Sequence, residues 1–202
     1  MRRSVYLVGP PGSGKSTLTD SILNGAGMEL GPVRDLRVGY IKRRKLSALR
    51  SATIGQPLLR NGEEMGVYLG ARREQFPGTD AINKNNQRVA VEWALNGAAE
   101  RVLGEGLRLG NKGFIGALAL ETDMLLIHLD APDEVLLERR ADRDEDRITD
   151  TFAKTARTRA ENLTLWAESQ PGIRVLRVDT TSELAIKAAR GKAVVWLLGD
   201  AL

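Results

Sequence analysis

Cysteine is absent from this sequence, and histidine occurs once, as His128. The first absence excludes disulfides and thiolate metal sites, and the second leaves no histidine-rich transition-metal site. Any metal is therefore expected to be a hard cation held by oxygen. No run approaches the roughly 18 apolar residues of a membrane span, and Met1-Arg-Arg3 leads straight into a strand with no cleavable apolar segment. No membrane partner and a cytosolic location are the expectations. The 21 glycines follow no repeat, and 42% hydrophobic with 28% charged residues suits a folded globular chain. At 202 residues there is room for one α/β domain, taken as 1–202, and too little for two.

Charge is unevenly placed. The net is +4, with a pI near 9.6. Between Arg34 and Arg60 stand eight basic residues (Arg34, Arg37, Lys42, Arg43, Arg44, Lys45, Arg50 and Arg60) against Asp35, a local net of +7. Such a stretch attracts polyanions, so residues 34–60 are a candidate nucleic-acid contact; a solvated face that keeps the protein soluble is the other reading.

The apolar pattern predicts alternating strands and helices. Ser4 to Val8 is apolar on both parities, as a strand buried on both faces would be. Lys15 to Asn24 reads as a helix closed at Gly25. Arg34 to Lys42 and Met65 to Leu69 read as strands, and the stretch between them gives no clear pattern. Gln87 to Asn96 is an amphipathic helix, Arg101 to Gly104 a strand ending at Glu105, Phe114 to Leu120 a helix, and Met124 to Asp130 the clearest buried strand. Ala131-Pro-Asp133 opens a helix over Glu134 to Arg143. The charged segment Asp144 to Thr151 reads as mobile surface. Phe152 to Glu168 is a helix, Arg174 to Asp179 the last strand, and Ser182 caps a helix reaching Leu197. Such alternation argues for a parallel sheet covered on both faces.

Residues Gly9 to Ser16, Gly-Pro-Pro-Gly-Ser-Gly-Lys-Ser, satisfy G-x-x-x-x-G-K-[ST] between a strand and a helix. Gly9, Gly12 and Gly14 let successive N–H groups, with those of Ser13 and Thr17, point inward, and the helix adds its positive end, so phosphate oxygens fit there. Lys15 is placed to reach the β- and γ-phosphates, and the Ser16 hydroxyl to ligate Mg2+. An acidic partner is also needed. Glu105, after an apolar strand and flanked by glycines, is the first choice as metal ligand or base. Asp130 ends a stronger strand, but an aspartate before Ala-Pro also reads as a helix cap.

Arg72, Arg73, Phe76, Thr79 and Asp80 lie close together in a segment rich in turn formers. As an acceptor site, the arginines would grip a phosphate, Phe76 would stack on a base and Asp80 would take a hydroxyl proton; as an ordinary turn, Asp80 would cap the next helix. Arg139 and Arg143 share a helix face, and Arg147, Lys154, Arg157 and Arg159 follow. Arg143 and Arg147 are the preferred members of a lid over about 139–159 that neutralises charge on the transferred group, although the acids among them also suit surface ion pairs.

The order of these parts resembles the nucleoside and nucleotide kinase branch of P-loop proteins that includes thymidylate and adenylate kinases. The residues that carry the resemblance are Gly9 to Thr17, Glu105-Gly-Leu-Arg108, Asp130-Ala-Pro with Arg139, and Val-Asp179-Thr-Thr. It covers nearly the whole chain. Phe76 to Ala81 and Lys154 to Asn162 are also similar to uncharacterised phage and actinobacterial kinase-like proteins, which adds a phage-encoded origin and action in a host cytoplasm. The resemblance implies a three-layer P-loop fold with a five-stranded parallel sheet and a short arginine-bearing lid, ATP with Mg2+, Arg139 on the nucleotide, and an acceptor region over about 34–96, with Arg108 as a further acceptor-binding residue outside it. The chain lacks the Asp-Arg-Tyr/His signature of thymidylate kinases at Glu105 and the long lid of larger adenylate kinases. The basic run suggests instead a hydroxyl on a modified base or sugar in DNA, as in phage kinases acting on hydroxymethyluracil.

Three function classes follow: a kinase acting on a nucleotide or DNA acceptor; a nucleotide-hydrolysing switch without an acceptor; and a DNA-binding module with a vestigial loop, disfavoured because Lys15 and Ser16 are intact. No guanine-selecting NKxD-like motif occurs, and the oligomeric state is not legible.

Overall fold

The computed structural model describes residues 1–37, 52–73, 77–96, 99–141 and 149–199. The first strand, β1 (Arg3–Val8), runs into the phosphate-binding loop and helix α1 (Lys15–Ala26). Then come β2 (Glu29–Leu30), β3 (Arg34–Arg37), β4 (Ala52–Arg60), β5 (Glu63–Leu69) and α2 (Gln87–Leu95). The remainder alternates as β6 (Arg101–Glu105), α3 (Lys112–Glu121), β7 (Asp123–Asp130), α4 (Asp133–Ala141), α5 (Asp150–Glu168), β8 (Ile173–Asp179) and α6 (Glu183–Leu198).

Among the described residues, one eight-stranded sheet joins them in the order β2-β4-β5-β6-β1-β7-β8, with β3 also paired to β4. The expected parallel block is present as β5-β6-β1-β7-β8. It sits in a larger mixed sheet, because β2, β3 and β4 extend it with antiparallel pairs. Alternating parity along each central strand feeds two cores. Val5 and Leu7 of β1, with Leu125 and Ile127 of β7, pack among α1 and α6 residues such as Leu18, Ile22 and Trp196. Tyr6 and Val8, with Met124 and Leu126, pack among α2, α3 and α5 residues such as Trp93, Phe114 and Leu163. This is the three-layer α/β fold expected of a parallel sheet buried on both faces.

The turn between β4 and β5 is Asn61-Gly62, with φ of 53° and 80°. Positive φ at both central residues gives a two-residue turn whose twist matches paired antiparallel strands, and Asn-Gly is the dipeptide that adopts it most easily. The strand β4 was not foreseen. Pro57 interrupts its pattern, yet it falls between the part paired with β2 (Leu58 and Leu59) and the part paired with β3 (Ala52 to Gly55), where its missing N–H breaks no ladder bond on that side.

Several boundaries move from their predicted positions. Helix α1 continues through Gly25 and is closed by Gly27, whose N–H bonds to the Leu23 and Asn24 carbonyls. Of the strand expected over Arg34 to Lys42, the described part is β3; residues 38–51, with most of the basic run, lie outside the described residues. Residues 142–148 do too, while Asp150 and Thr151, expected in a mobile segment, already belong to α5. The Ser182 cap is present: its hydroxyl accepts the Ala185 N–H at 3.2 Å. Among the described residues, no helix is long and apolar enough to cross a membrane.

Candidate active site

Parallel pairing of β1 and β6 sets Leu7 beside Glu105, so a carboxylate at the end of β6 arrives next to the loop that follows β1. That loop adopts the left-handed backbone its glycines allow. Gly12 has φ +82°, and a side-chain carbon there would lie 2.7 Å from the Leu136 carbonyl oxygen, so α4 packs directly on the loop. Gly14, also left-handed at φ 80°, forms the N-cap of α1. Lys15 folds over the loop, its Nζ donating to the carbonyls of Gly9 (2.9 Å) and Pro10 (2.8 Å) and to Ser13 Oγ (3.4 Å).

Ser16 Oγ donates to Glu105 Oε2 at 3.1 Å. Glu105 is 1% exposed. Its other oxygen accepts from the Tyr68 hydroxyl at 2.8 Å and from Arg72 Nη1 at 3.1 Å. Burial pushes the Glu105 carboxyl above its ordinary value, outweighing the opposing pull of Tyr68, Lys15, Arg72 and Ser16. Arg72 also donates through Nη2 to the Ser16 carbonyl (3.3 Å) and to Asp20, and its backbone N–H donates to Gln56 Oε1 (2.6 Å). Ser16 and Glu105 offer hard oxygen donors. Among the described residues no three acidic, histidine or cysteine side chains converge, so a cation here would take the rest of its shell from phosphate and water, as Mg2+ does. Mg2+ therefore fits this donor set.

Of the two carboxylates weighed from sequence, Glu105 is the one bonded to Ser16. Asp130 instead receives Arg157 through Nε (3.0 Å) and Nη2 (2.7 Å) at Oδ2, while its Oδ1 is buried without a hydrogen bond. Arg157 also pairs with Asp133. In the segment read as an acceptor site, Thr79 is fully buried, and its hydroxyl donates to the Glu105 carbonyl at 2.8 Å. It also lies 2.9 Å from the hydroxyl of Tyr6. Asp80 accepts the Arg108 backbone N–H at 2.9 Å and so ties the turn Thr79–Ala81 to the loop after β6. Arg73 is exposed, and the Arg108 side chain is half-buried. Phe76, Arg143 and Arg147 lie outside the described residues.

Among the described residues, clefts flank the loop on two sides. One, of about 400 Å³, is bordered by Gly12, Gly14, Thr17, Arg139, Thr180 and Ile186. Arg139 is fixed there by Thr180, donating to its hydroxyl and its carbonyl at 2.8 Å each. The other, of about 260 Å³, lies between Pro10 and Pro11 and the helices α4 and α5, and is lined by the cations Arg140, Lys154 and Arg157 together with the acids Asp133, Glu134 and Asp150. Tyr68 and Asp20 had not been singled out from the sequence, and Thr180 entered only as part of the Val-Asp179-Thr-Thr run. Tyr68 reads there as one more apolar strand residue, and no local signal marks Asp20 as the partner of Arg72.

A phosphate loop on the parallel block of the sheet, with a hydroxyl and a buried carboxylate at its end, is the site of a P-loop nucleotide-binding protein. The family model described as P-loop Nucleotide Kinase3 matches residues 1–200, and the chain belongs to that family. No curated protein matches it. Among solved structures, an unliganded sugar kinase from Janibacter sp. is similar over 98% of this chain and 95% of that chain, at 14% identity and a TM-score of 0.48.

Proposed function

We propose that the protein transfers the γ-phosphoryl group of ATP, with Mg2+, to a nucleotide or to a nucleic-acid-linked acceptor such as a hydroxymethylated base in DNA. The observation that carries this reading is the hydrogen bond from Ser16 to the buried Glu105. It places a hydroxyl and a carboxylate together beside the loop that cradles phosphates. The N–H groups of Gly12 to Ser16 and the Lys15 ammonium hold the β- and γ-phosphates. Ser16 and Glu105 hold the cation, which when bound neutralises charge on the phosphates. The Arg139–Thr180 cleft takes the nucleoside, and Arg140, Lys154 and Arg157 face the other side of the loop, where a lid would screen the transferred group.

The acceptor oxygen bonds to the γ-phosphorus as the bond to the β,γ-bridging oxygen breaks and ADP leaves. Asp80, steadied through one oxygen by the Arg108 N–H, takes the acceptor proton. Support for a nucleic-acid acceptor comes from the charge of residues 34–60. Their described parts, β3 and β4, extend the sheet from β5, whose end leads to Arg72. The kinase reading, with action in a cytoplasm, also accords with the resemblance to phage proteins.

Transfer of labelled γ-phosphate to mixed nucleoside monophosphates, and to duplex DNA with and without hydroxymethylated bases, tests the proposal. Label on either pool supports it and identifies the acceptor. Release of inorganic phosphate with label on neither pool overturns it in favour of a hydrolytic switch.

A further inference from the structure

The two oxygens of Glu105 have different neighbours. Oε2 accepts from Ser16 Oγ at 3.1 Å, at the end of the site where a cation fits. Oε1 accepts from the Tyr68 hydroxyl at 2.8 Å and from Arg72 Nη1 at 3.1 Å. Tyr68 is fully buried and packs in the core beneath α1 and α6. Parallel pairing aligns it with Leu103, two residues before Glu105 on β6. Its hydroxyl is therefore held by packing as well as by its hydrogen bond. Arg72 is fixed at both ends, by Gln56 on its backbone N–H and by Asp20 and the Ser16 carbonyl on Nη2. Backbone closes the remaining side. A side-chain carbon on Gly78 would stand 2.5 Å from Glu105 Cγ and 3.2 Å from the Tyr68 hydroxyl, so the loop lies tightly against both.

We infer that Tyr68 and Arg72 are positioning residues that take up Oε1 of Glu105, so that the carboxylate serves the metal–nucleotide through Oε2 alone. This deepens the kinase reading and rests on it. The consequence is a specific division of labour. Tyr68 touches neither nucleotide nor cation and acts only through Glu105, as outer-shell partners of metal ligands do. A tyrosine that merely filled the core would lose nothing at the metal site when its hydroxyl is removed.

The test is Mn2+ binding to the ADP-bound protein, followed by electron paramagnetic resonance, for the native chain and for Tyr68→Phe, Glu105→Gln and the double variant. Tyr68→Phe is expected to weaken Mn2+ binding roughly ten- to a hundredfold, as outer-shell substitutions do. Added to Glu105→Gln, it should bring no further loss, because the group it acts through is already changed. In turnover, kcat should fall while the KM of the acceptor stays unchanged. Native Mn2+ affinity in Tyr68→Phe, or a full additional loss in the double variant, would overturn the inference. Should Tyr68→Phe not fold, Arg72→Met at a partly exposed position takes its place in the same cycle, with the same two outcomes. A native chain that takes up no Mn2+ with ADP overturns the kinase reading, and this inference with it.

Discussion

Lys15→Ala is expected to lower phosphoryl transfer by about a hundred- to a thousandfold, the range found when one preorganised charge-stabilising donor is removed. The fold should survive. The Lys15 ammonium lies on the Gly9 and Pro10 carbonyls and on Ser13 Oγ, in a loop that is only partly buried, and water can replace it there. Each such bond contributes only about 0.5–1.5 kcal/mol net. Rate and melting temperature measured together check this. A variant that melts like the native chain and retains its full rate would remove Lys15 from the mechanism.

Glu105→Gln is the second large effect, with turnover lower by about two orders of magnitude or more, since the variant keeps the shape and loses the charge that a cation needs. It also carries a signature in stability. Burial raises the Glu105 carboxyl above its ordinary value of 4.5. A raised folded-state value means that the folded chain holds this proton more tightly than the unfolded chain does. Its contribution to stability is therefore fully present below the unfolded value, and is lost as pH rises through the folded value. Relative to the native chain, Glu105→Gln should gain stability as pH climbs through that window, and the difference should shrink on acidification. His128, which burial lowers, works in the opposite sense but is common to both chains and cancels in the difference. Urea melts of both proteins from pH 4 to 9 read this directly, and a difference that does not change with pH contradicts it.

The parts of the site that were legible in the sequence are those built by short stretches. The loop from Gly9 to Ser16 carries its conformation in its own glycines, and Glu105 stands where an apolar strand meets Gly106. Strand β7 and the Ser182 cap are likewise local. The hairpin that turns at Asn61-Gly62 was not read, because Pro57 interrupts the pattern of the strand before it. Arg72 illustrates what stays hidden. The sequence put it beside an acceptor; the fold puts its guanidinium on Glu105, 33 residues away, because β5 and β6 run parallel. Thr79 stands among turn formers in a segment read as an acceptor site, but the backbone around Gly70 and Gly78 folds over and buries it; a side-chain carbon on Gly70 would fall 1.8 Å from the Gly78 carbonyl oxygen. The Asp130–Arg157 pair joins residues 27 apart across β7 and α5, a contact set by packing.

The most direct measurement is calorimetric titration of the protein with ATP, with and without Mg2+ and in buffers of different ionisation enthalpy. A single site is predicted, tighter with Mg2+, because Ser16 and Glu105 would supply oxygen ligands to a cation that also binds the phosphates. Proton release should accompany binding at pH values near the raised value of Glu105, since a cation favours the ionised carboxylate. ATP binding that is indifferent to Mg2+, or no binding at all, would contradict the assignment of this loop and carboxylate as a kinase site.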